Sequence, residues 1–346
     1  MRCLPLLLPL LLLPACTAPD NPDALTVAMP VAALHAQPGA QQALVRKLDK
    51  GAVITDLGQV STFESAIQLG DSLYQAPWIK VRHQEQEGWI WAGALRAPGN
   101  ADQWLLAKRS ACYFGNAAED QRQRWLQRYA QLPDEAAFDL GWHEVLALRD
   151  NMMRQLDQRP QHGDIRPDDN YAWMQALLPG FVYQFPKGAA YPYLYADYNY
   201  WHKIAQQSKG PQDDALLQLY LRCFPQDGIE SPFPCWVFQL SQNHSASLLG
   251  SGKHLEILQA ITAAEQSAPL FQSEYKAIKN QVMDDILGKD RSYWLEKEKV
   301  IQELQAILKT QPACLDGYDL QGIEKRIPMF EKPAAFGIKT NLRAGE

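Results

Sequence analysis

What this chain lacks narrows its chemistry before anything it contains. Its longest apolar run, Leu4 to Leu13, is about ten residues, where a bilayer-spanning helix needs ~20, and no later stretch approaches that length. There is no Gly-x-Ser-x-Gly, so the strained turn that presents a hydrolase serine is missing. No cysteines stand at Cys-x-x-Cys or Cys-His zinc spacing. Lys and Arg number 33 against 39 acidic residues, a net charge of −6, which is not the basic footprint of a nucleic-acid binder. No internal repeat is found.

Two chemical motifs begin and then fail. His143-Glu144-Val145-Leu146-Ala147 opens like a zincin helix, which needs a second His one turn on, but Ala147 stands there. Gly250-Ser251-Gly252-Lys253-His254 has the end of a phosphate loop, yet Ser247 replaces its first glycine and His254 its Ser/Thr. A glycine turn with Ser251 as helix N-cap explains that segment more simply. Neither a metal, a nucleotide nor another cofactor is implied.

What is present builds cores. Hydrophobic residues make up 47% of the 346 and aromatics 10%, with ten tryptophans, and the length allows two or three domains. At the amino terminus Arg2, the Leu4–Leu13 run and Ala15 have the layout of a secretory signal. Leu13-Pro14-Ala15-Cys16 resembles the lipobox of bacterial lipoproteins, with Pro14 where a small non-proline residue is usual. The resemblance implies removal of residues 1–15, a diacylglyceryl group on the Cys16 thiol and a tether over 16–24. With Thr17 instead of Asp after the cysteine, it implies an outer-membrane anchor facing the periplasm.

An oxidising compartment is the setting in which Cys112, Cys223, Cys235 and Cys314 then sit. Four cysteines allow three pairings. The Phe224–Pro234 segment is rich in turn residues, which favours Cys223 with Cys235 and leaves Cys112 for Cys314. Four buried free thiols are the alternative.

From residue 25 to 98 short apolar runs alternate with turns: Leu25–Val27, Ala33-Leu34, Ala43–Val45 with Leu48, Val53-Ile54, Trp78–Val81 and Trp89–Trp91. Strand signals at this spacing predict a small all-β barrel. Leu34-His35-Ala36-Gln37-Pro38, Leu48-Asp49-Lys50-Gly51 with Val53, Trp78-x-Lys80-Val81 and Gly88-Trp89-Ile90 resemble, in order, the segments of a bacterial SH3 (SH3b) domain. His35 departs from that family's usual Arg. The resemblance implies contact with peptidoglycan peptides or a protein partner, for which Tyr74, Trp78, Trp89 and Trp91 are the ligand-binding candidates, although Trp78 or Trp89 also reads as core. The stretch from Gly58 to Pro77 exceeds the family's usual connection and reads as a groove-shaping loop or a β-extension.

Beyond Ala97–Asn100 the period becomes helical, and residues 102–346 read as a larger, mostly α-helical domain. Helices are expected over Glu119–Gln131, from Pro133 toward Leu156, and over Tyr171–Leu178, Tyr198–Gln207, Asp213–Arg222, Ser251–Ala264, Ser267–Leu287 and Tyr293–Lys309. The tail from Gly317 shows little periodicity. Trp104–Lys108 either closes the barrel or opens the next unit.

Aromatics crowd Phe181–Trp201, some as core and some, notably Tyr191, Tyr193 and Tyr195, as candidates to face a ligand. Asp164, Asp168 and Asp169, and Asp213 and Asp214, sit where carboxylates cap helices.

The expected fold class is thus multidomain α+β, a small SH3-like all-β barrel followed by a mostly helical domain. The expected function is a non-enzymatic envelope lipoprotein that binds a cell-wall peptide or glycan, or an envelope protein. An envelope hydrolase is the alternative, and its mark would be a pocket where His143, His202, His244 or His254 meets a carboxylate or a free thiol.

Overall fold

The computed structural model describes residues 23–97, 99–129, 132–158, 170–186, 191–241, 244–288 and 291–342. Cys16, the tether up to residue 22, and Asp164, Asp168 and Asp169 lie outside them. The described chain is mixed α+β and divides into two compact units, one holding the residues up to Cys112 with Asn170, the other those from Tyr113 onward.

The first unit is one curled antiparallel sheet of β1 (Ala24–Val27), β2 (Val31–His35), β3 (Leu44–Asp49), β4 (Val53–Leu69), β5 (Ser72–His83), β6 (Gln86–Trp91) and β7 (Leu95–Arg96). Their order across the sheet is β3-β2-β6-β5-β4-β1-β7. Each of the six expected apolar runs falls in one of these strands, apart from Ala43, which precedes β3. The tight turn between His83 and Gln86 sets the β5–β6 register, placing Trp78 opposite Trp91, Lys80 opposite Trp89 and Val81 opposite Gly88. Gly88 is obligatory there, because a Cβ would sit 2.7 Å from both the His35 carbonyl and Leu34 Cγ.

Alternation sends Leu34, Leu48, Ile54, Ile79, Val81 and Ile90 inward, all nearly or fully buried. The long Gly58–Pro77 stretch is a β-extension: β4 and β5 run on past the rest of the curled sheet as one hairpin, with bulges between Asp56 and Gln59 and between Val60 and Glu64. Trp104–Lys108 neither adds a strand to the sheet nor opens the second unit: it lies in helix α1 (Ala101–Phe114), which up to Cys112 belongs to the first unit. Lys108 pairs with the buried carboxylate of Asp56 at 2.5 Å, and Arg109 with Glu64 at 2.6 Å, both on β4.

The second unit is built on α2 (Asn116–Arg128), α3 (Glu135–Asp157), α4 (Tyr198–Ala205), α5 (Gln212–Cys223), α6 (Lys253–Ser267), α7 (Gln272–Leu287), α8 (Lys297–Thr310) and α9 (Gly317–Glu331). Two hairpins join them, β8 (Phe181–Gln184) with β9 (Tyr193–Ala196), and β10 (Val237–Gln239) with β11 (Ser245–Ser247). The expected helix at Tyr171–Leu178 is a 3-10 turn over Ala172–Ala176.

Helix α9 occupies the tail predicted to lack periodicity. Its buried residues are Ile323, Arg326 and Phe330, so a cation stands inside the apolar stripe and breaks the pattern. Arg326 Nη2 donates to the Gly288 carbonyl and the Tyr293 hydroxyl. The start signal is a capping box formed by Asp316 and Asp319.

Aromatic side chains form much of the second core. Trp142 meets Trp201 edge-on at 5.1 Å, Phe138 meets Phe271 at 6.3 Å, and Tyr198 stacks on Tyr220 at 4.5 Å.

Candidate functional site

The long helix α3 positions the site. Asp134 caps it, its carboxylate accepting from the Ala137 amide at 2.8 Å. The apolar face of Val145, Leu148, Met152 and Leu156 packs into the core. On the flank of that face Arg149, Asp150, Met153, Arg154 and Asp157 fall within two turns and line one wall of a cleft of about 640 Å³. Pro186, Tyr191, Pro192 and Tyr193 form the opposite wall.

Strand alternation explains the second wall. Leu194 and Ala196 of β9 are fully buried, which turns Tyr193 and Tyr195 to the other face, their ring centroids 4.9 Å apart. Tyr191 meets Tyr171 edge-on at 6.2 Å. The elements of the Phe181–Trp201 stretch therefore divide: Phe181, Tyr198 and Trp201 are core, whereas Tyr191 and Tyr193 line the cleft.

Arg149 holds the two walls together. Its Nη1 donates to Glu230 at 2.5 Å and its Nε to Asp150 at 2.9 Å, and its guanidinium lies over the rings of Tyr193 at 5.5 Å and Phe181 at 5.7 Å. Burial opposes its charge, but Glu230 foremost, then Tyr193 and Asp150, outweigh it and raise its pKa. Burial likewise raises the pKa of Tyr193 and Tyr195, so both hydroxyls stay protonated and can donate.

Glu230 also accepts from the Ala196 amide at 3.0 Å, which ties the 224–234 segment to the end of β9. The same segment bonds to Tyr198 and Asn199 through the carbonyls of Gly228 and Asp227. On its far side a cleft of about 150 Å³ is lined by Arg149, Glu230, Cys223 and Trp236.

Cys223 and Cys235 frame this segment, and the Cys235 amide donates to the Cys223 carbonyl at 2.7 Å. Neither expected pairing is formed in this structure: Cys223, Cys235, Cys112 and Cys314 are all free thiols, and of the four only Cys223 is buried. Burial pushes the Cys235 thiol up to about 11 and the Cys223 thiol higher still. The Cys314 thiol, also raised by burial, donates to the Leu258 carbonyl.

In the first unit Trp78 and Trp91 are only 2% and 3% exposed. Their indole N–H groups bond to Ser65 and, for Trp91, also to the Ala76 carbonyl, so these two residues brace the hairpin and offer no face to a ligand. Tyr74, half exposed on β5, and the partly buried Trp89 are the candidates there that reach the surface.

The four histidines expected to mark a hydrolase site, out of seven in the chain, lie in separate surroundings. His143 Nε2 meets Glu274 at 2.5 Å, joining α3 to α7, and its Nδ1 reaches the Asp139 carbonyl. His202 stands 3.7 Å from Asp214, and His244 bonds to Ser241. His254, fully buried, bonds through Nε2 to Asp285 at 2.8 Å, and the Ser247 hydroxyl donates to the same carboxylate. That cluster has the residue types of a nucleophile triad in the wrong order, because the carboxylate lies between serine and imidazole and no base faces the hydroxyl. Histidine lines none of the three clefts around Arg149, Cys223 and Arg291.

The Gly250–His254 segment is closed by a side chain. Glu303 accepts from the amides of Gly250, Gly252 and Leu255, at 2.5, 3.0 and 3.2 Å, and so occupies the nest an external anion would use. The helix N-cap is Gly252, in a left-handed conformation, and Glu303 supplies the capping expected of Ser251. Asp213, by contrast, does sit in the first turn of its helix, bonded to Ser208 and to the Asp214 amide.

Among the described residues no group of three or more His, Cys, Asp or Glu side chains is placed to hold a metal ion, and no helix is long and apolar enough to cross a membrane. No family model, no curated protein and no solved structure matches this chain.

Arg149, Arg154 and Glu230 are absent from the sequence reading. A signal for Arg149 existed: it interrupts the Val145, Leu148, Met152, Leu156 stripe with a charge, and a cation on a buried face needs a partner.

Proposed function

We propose that the chain is a non-enzymatic cell-envelope lipoprotein, anchored through Cys16 at the outer membrane and facing the periplasm, whose second unit binds a cell-wall or envelope ligand in the cleft beside Arg149. The observation that carries the reading is the cleft itself. Its volume lies in the range of small-molecule and peptide sites, and its walls combine rigid aromatic and proline surface with a few placed charges. The groups that would serve catalysis are withdrawn from it: Ser247, His254 and Asp285 are at most 2% exposed and bonded to one another.

The first unit fits the SH3b reading in its strand order of signals and in the pairing of Trp78-x-Lys80-Val81 with Gly88-Trp89-Ile90 across β5 and β6. On this reading the barrel is a second contact point, through Tyr74 and Trp89, for peptidoglycan or an envelope protein.

The test is co-sedimentation of the detergent-solubilised chain with purified cell wall. Retention of the chain is expected, and Tyr191→Ala, at a partly exposed position of the cleft wall, is expected to lower it at unchanged Tm. A folded chain that neither sediments with wall nor captures an envelope protein overturns the reading. Hydrolysis of the wall during the assay would overturn its non-enzymatic part.

A further inference from the structure

We propose that the cleft beside Arg149 takes a short zwitterionic peptide, with Arg154 receiving its carboxylate, Asp157 its ammonium group, and Tyr191, Tyr193 and Pro192 its body. The inference rests on the binding reading above and names the ligand class of that same site.

The charges lining the cleft fall into two sets. Arg149 and Asp150 are paired already: Arg149 is 7% exposed and spans Glu230 and the exposed Asp150, a set that carries one negative charge in excess. Arg154 and Asp157 are exposed, and their side chains make no ion pair or hydrogen bond with any described residue, nor with each other. Among the described residues the cleft therefore presents one cation, Arg154, and one anion, Asp157, without a partner.

Their spacing fits one class of molecule. Residues three apart on a helix share a face with Cβ atoms about 5–6 Å apart, and the long Arg154 side chain can extend the separation of the two charges toward the ~10 Å between the ends of an extended tripeptide. A neutral glycan would leave both charges without partners. A purely anionic ligand would meet Arg154 but be repelled by Asp157 and Asp150. A zwitterion answers both, and a carboxylate on a guanidinium is among the stronger recognition pairs available.

The opposite wall suits the same ligand. Tyrosine rings and prolines offer flat, rigid surface at little entropic cost, and the protonated Tyr193 hydroxyl, 3.5 Å from Asp150, is a donor at the cleft edge. Arg149 contributes by holding the Tyr193 ring, which makes it a positioning residue for that wall.

The experiment presents the full chain in detergent with a pool of free tripeptides, the same pool amidated at its carboxyl end, the pool acetylated at its amino end, and tri-N-acetylglucosamine, with retention read by mass spectrometry. Free tripeptides are expected to be retained, and either blocking group to reduce retention at least tenfold. Arg154→Gln is expected to remove the penalty of amidation alone and Asp157→Asn that of acetylation alone, both at unchanged Tm because the side chains are exposed. Equal retention of blocked and free pools, or penalties untouched by the two substitutions, overturns the zwitterion while leaving binding intact. Retention of the sugar alone overturns it too. If no probe is retained although the chain still sediments with wall, only the ligand class fails; if wall binding is also lost, the binding reading fails with it.

Discussion

Arg149 Nη1 and Glu230 Oε2 meet at 2.5 Å across 81 residues of sequence, and this one contact joins α3, β9 and the 224–234 segment. The pair is mostly removed from water, with side chains 7% and 27% exposed. Breaking such a pair from one side leaves a buried charge without its partner. Glu230→Ala is therefore expected to cost about 3 kcal/mol, read as a shift in the urea midpoint, because Arg149 keeps only Asp150 and the Ala196 amide loses its acceptor. A cost near zero would mean that Arg149 reaches water, and with it that the Tyr193 wall is not fixed by this contact.

Cys223 and Cys235, free thiols in this structure, are expected to become joined in protein recovered from an oxidising compartment. Their main-chain hydrogen bond brings the two residues together, and closing a loop of this length stabilises by about 3 kcal/mol in the chain-entropy account. Non-reducing peptide mapping should find the 223–235 cross-link. After reduction both thiols should label far more slowly than a free cysteine, since burial holds Cys235 up to about 11 and Cys223 above that. Rapid labelling of Cys223 in the folded, reduced chain would contradict its burial.

The contact of His143 with Glu274 makes part of the stability depend on pH. Burial works against its charge, but the Asp139 carbonyl and the Glu274 and Asp139 carboxylates outweigh burial and raise its pKa above 6.5. A raised folded-state value gives stability that is fully present below the unfolded value and is lost as pH rises through the folded one. The difference in urea midpoint between the native chain and His143→Gln is expected to be largest near pH 5.5 and to shrink toward pH 9. Because the His143 ring is half exposed, the gap should stay under about 1 kcal/mol. A gap that widens with pH would reverse the sign of this linkage.

The sheet of the first unit was legible because its signals are local. Turn residues and period-two alternation, as at Trp78–Val81 and Trp89–Trp91, specify strands without reference to anything distant. Most of the helices were legible for the same reason. The cleft was not, because its defining contacts join residues such as Arg149 and Glu230 that no local pattern relates. Tyr191 and Tyr193 could be singled out as aromatic, but only the burial of Leu194 and Ala196 between them and the core decides which way they face. Trp78 and Trp91 show the converse, since a residue type common at binding surfaces is held inside here by bonds to Ser65.

The proposed location depends on Cys16, which precedes the described residues. If the cysteine carries a diacylglyceryl group, Cys16→Ala should leave the leader uncut or cut elsewhere, and the protein should lose its lipid-dependent partition into detergent. One acyl chain gives only marginal membrane binding, whereas two or more give stable anchoring, so the native chain should stay in the membrane fraction through a high-salt wash that strips charge-held proteins. Mass spectrometry of the native amino terminus discriminates directly: a peptide starting at Cys16 with added diacylglycerol supports the anchor. An intact Arg2, or a free Cys16 thiol on a soluble chain, would remove the oxidising compartment from the account. The expected Cys223–Cys235 cross-link would then lose its oxidant, while the cleft, which depends only on the folded second unit, would remain a binding site in search of a different ligand.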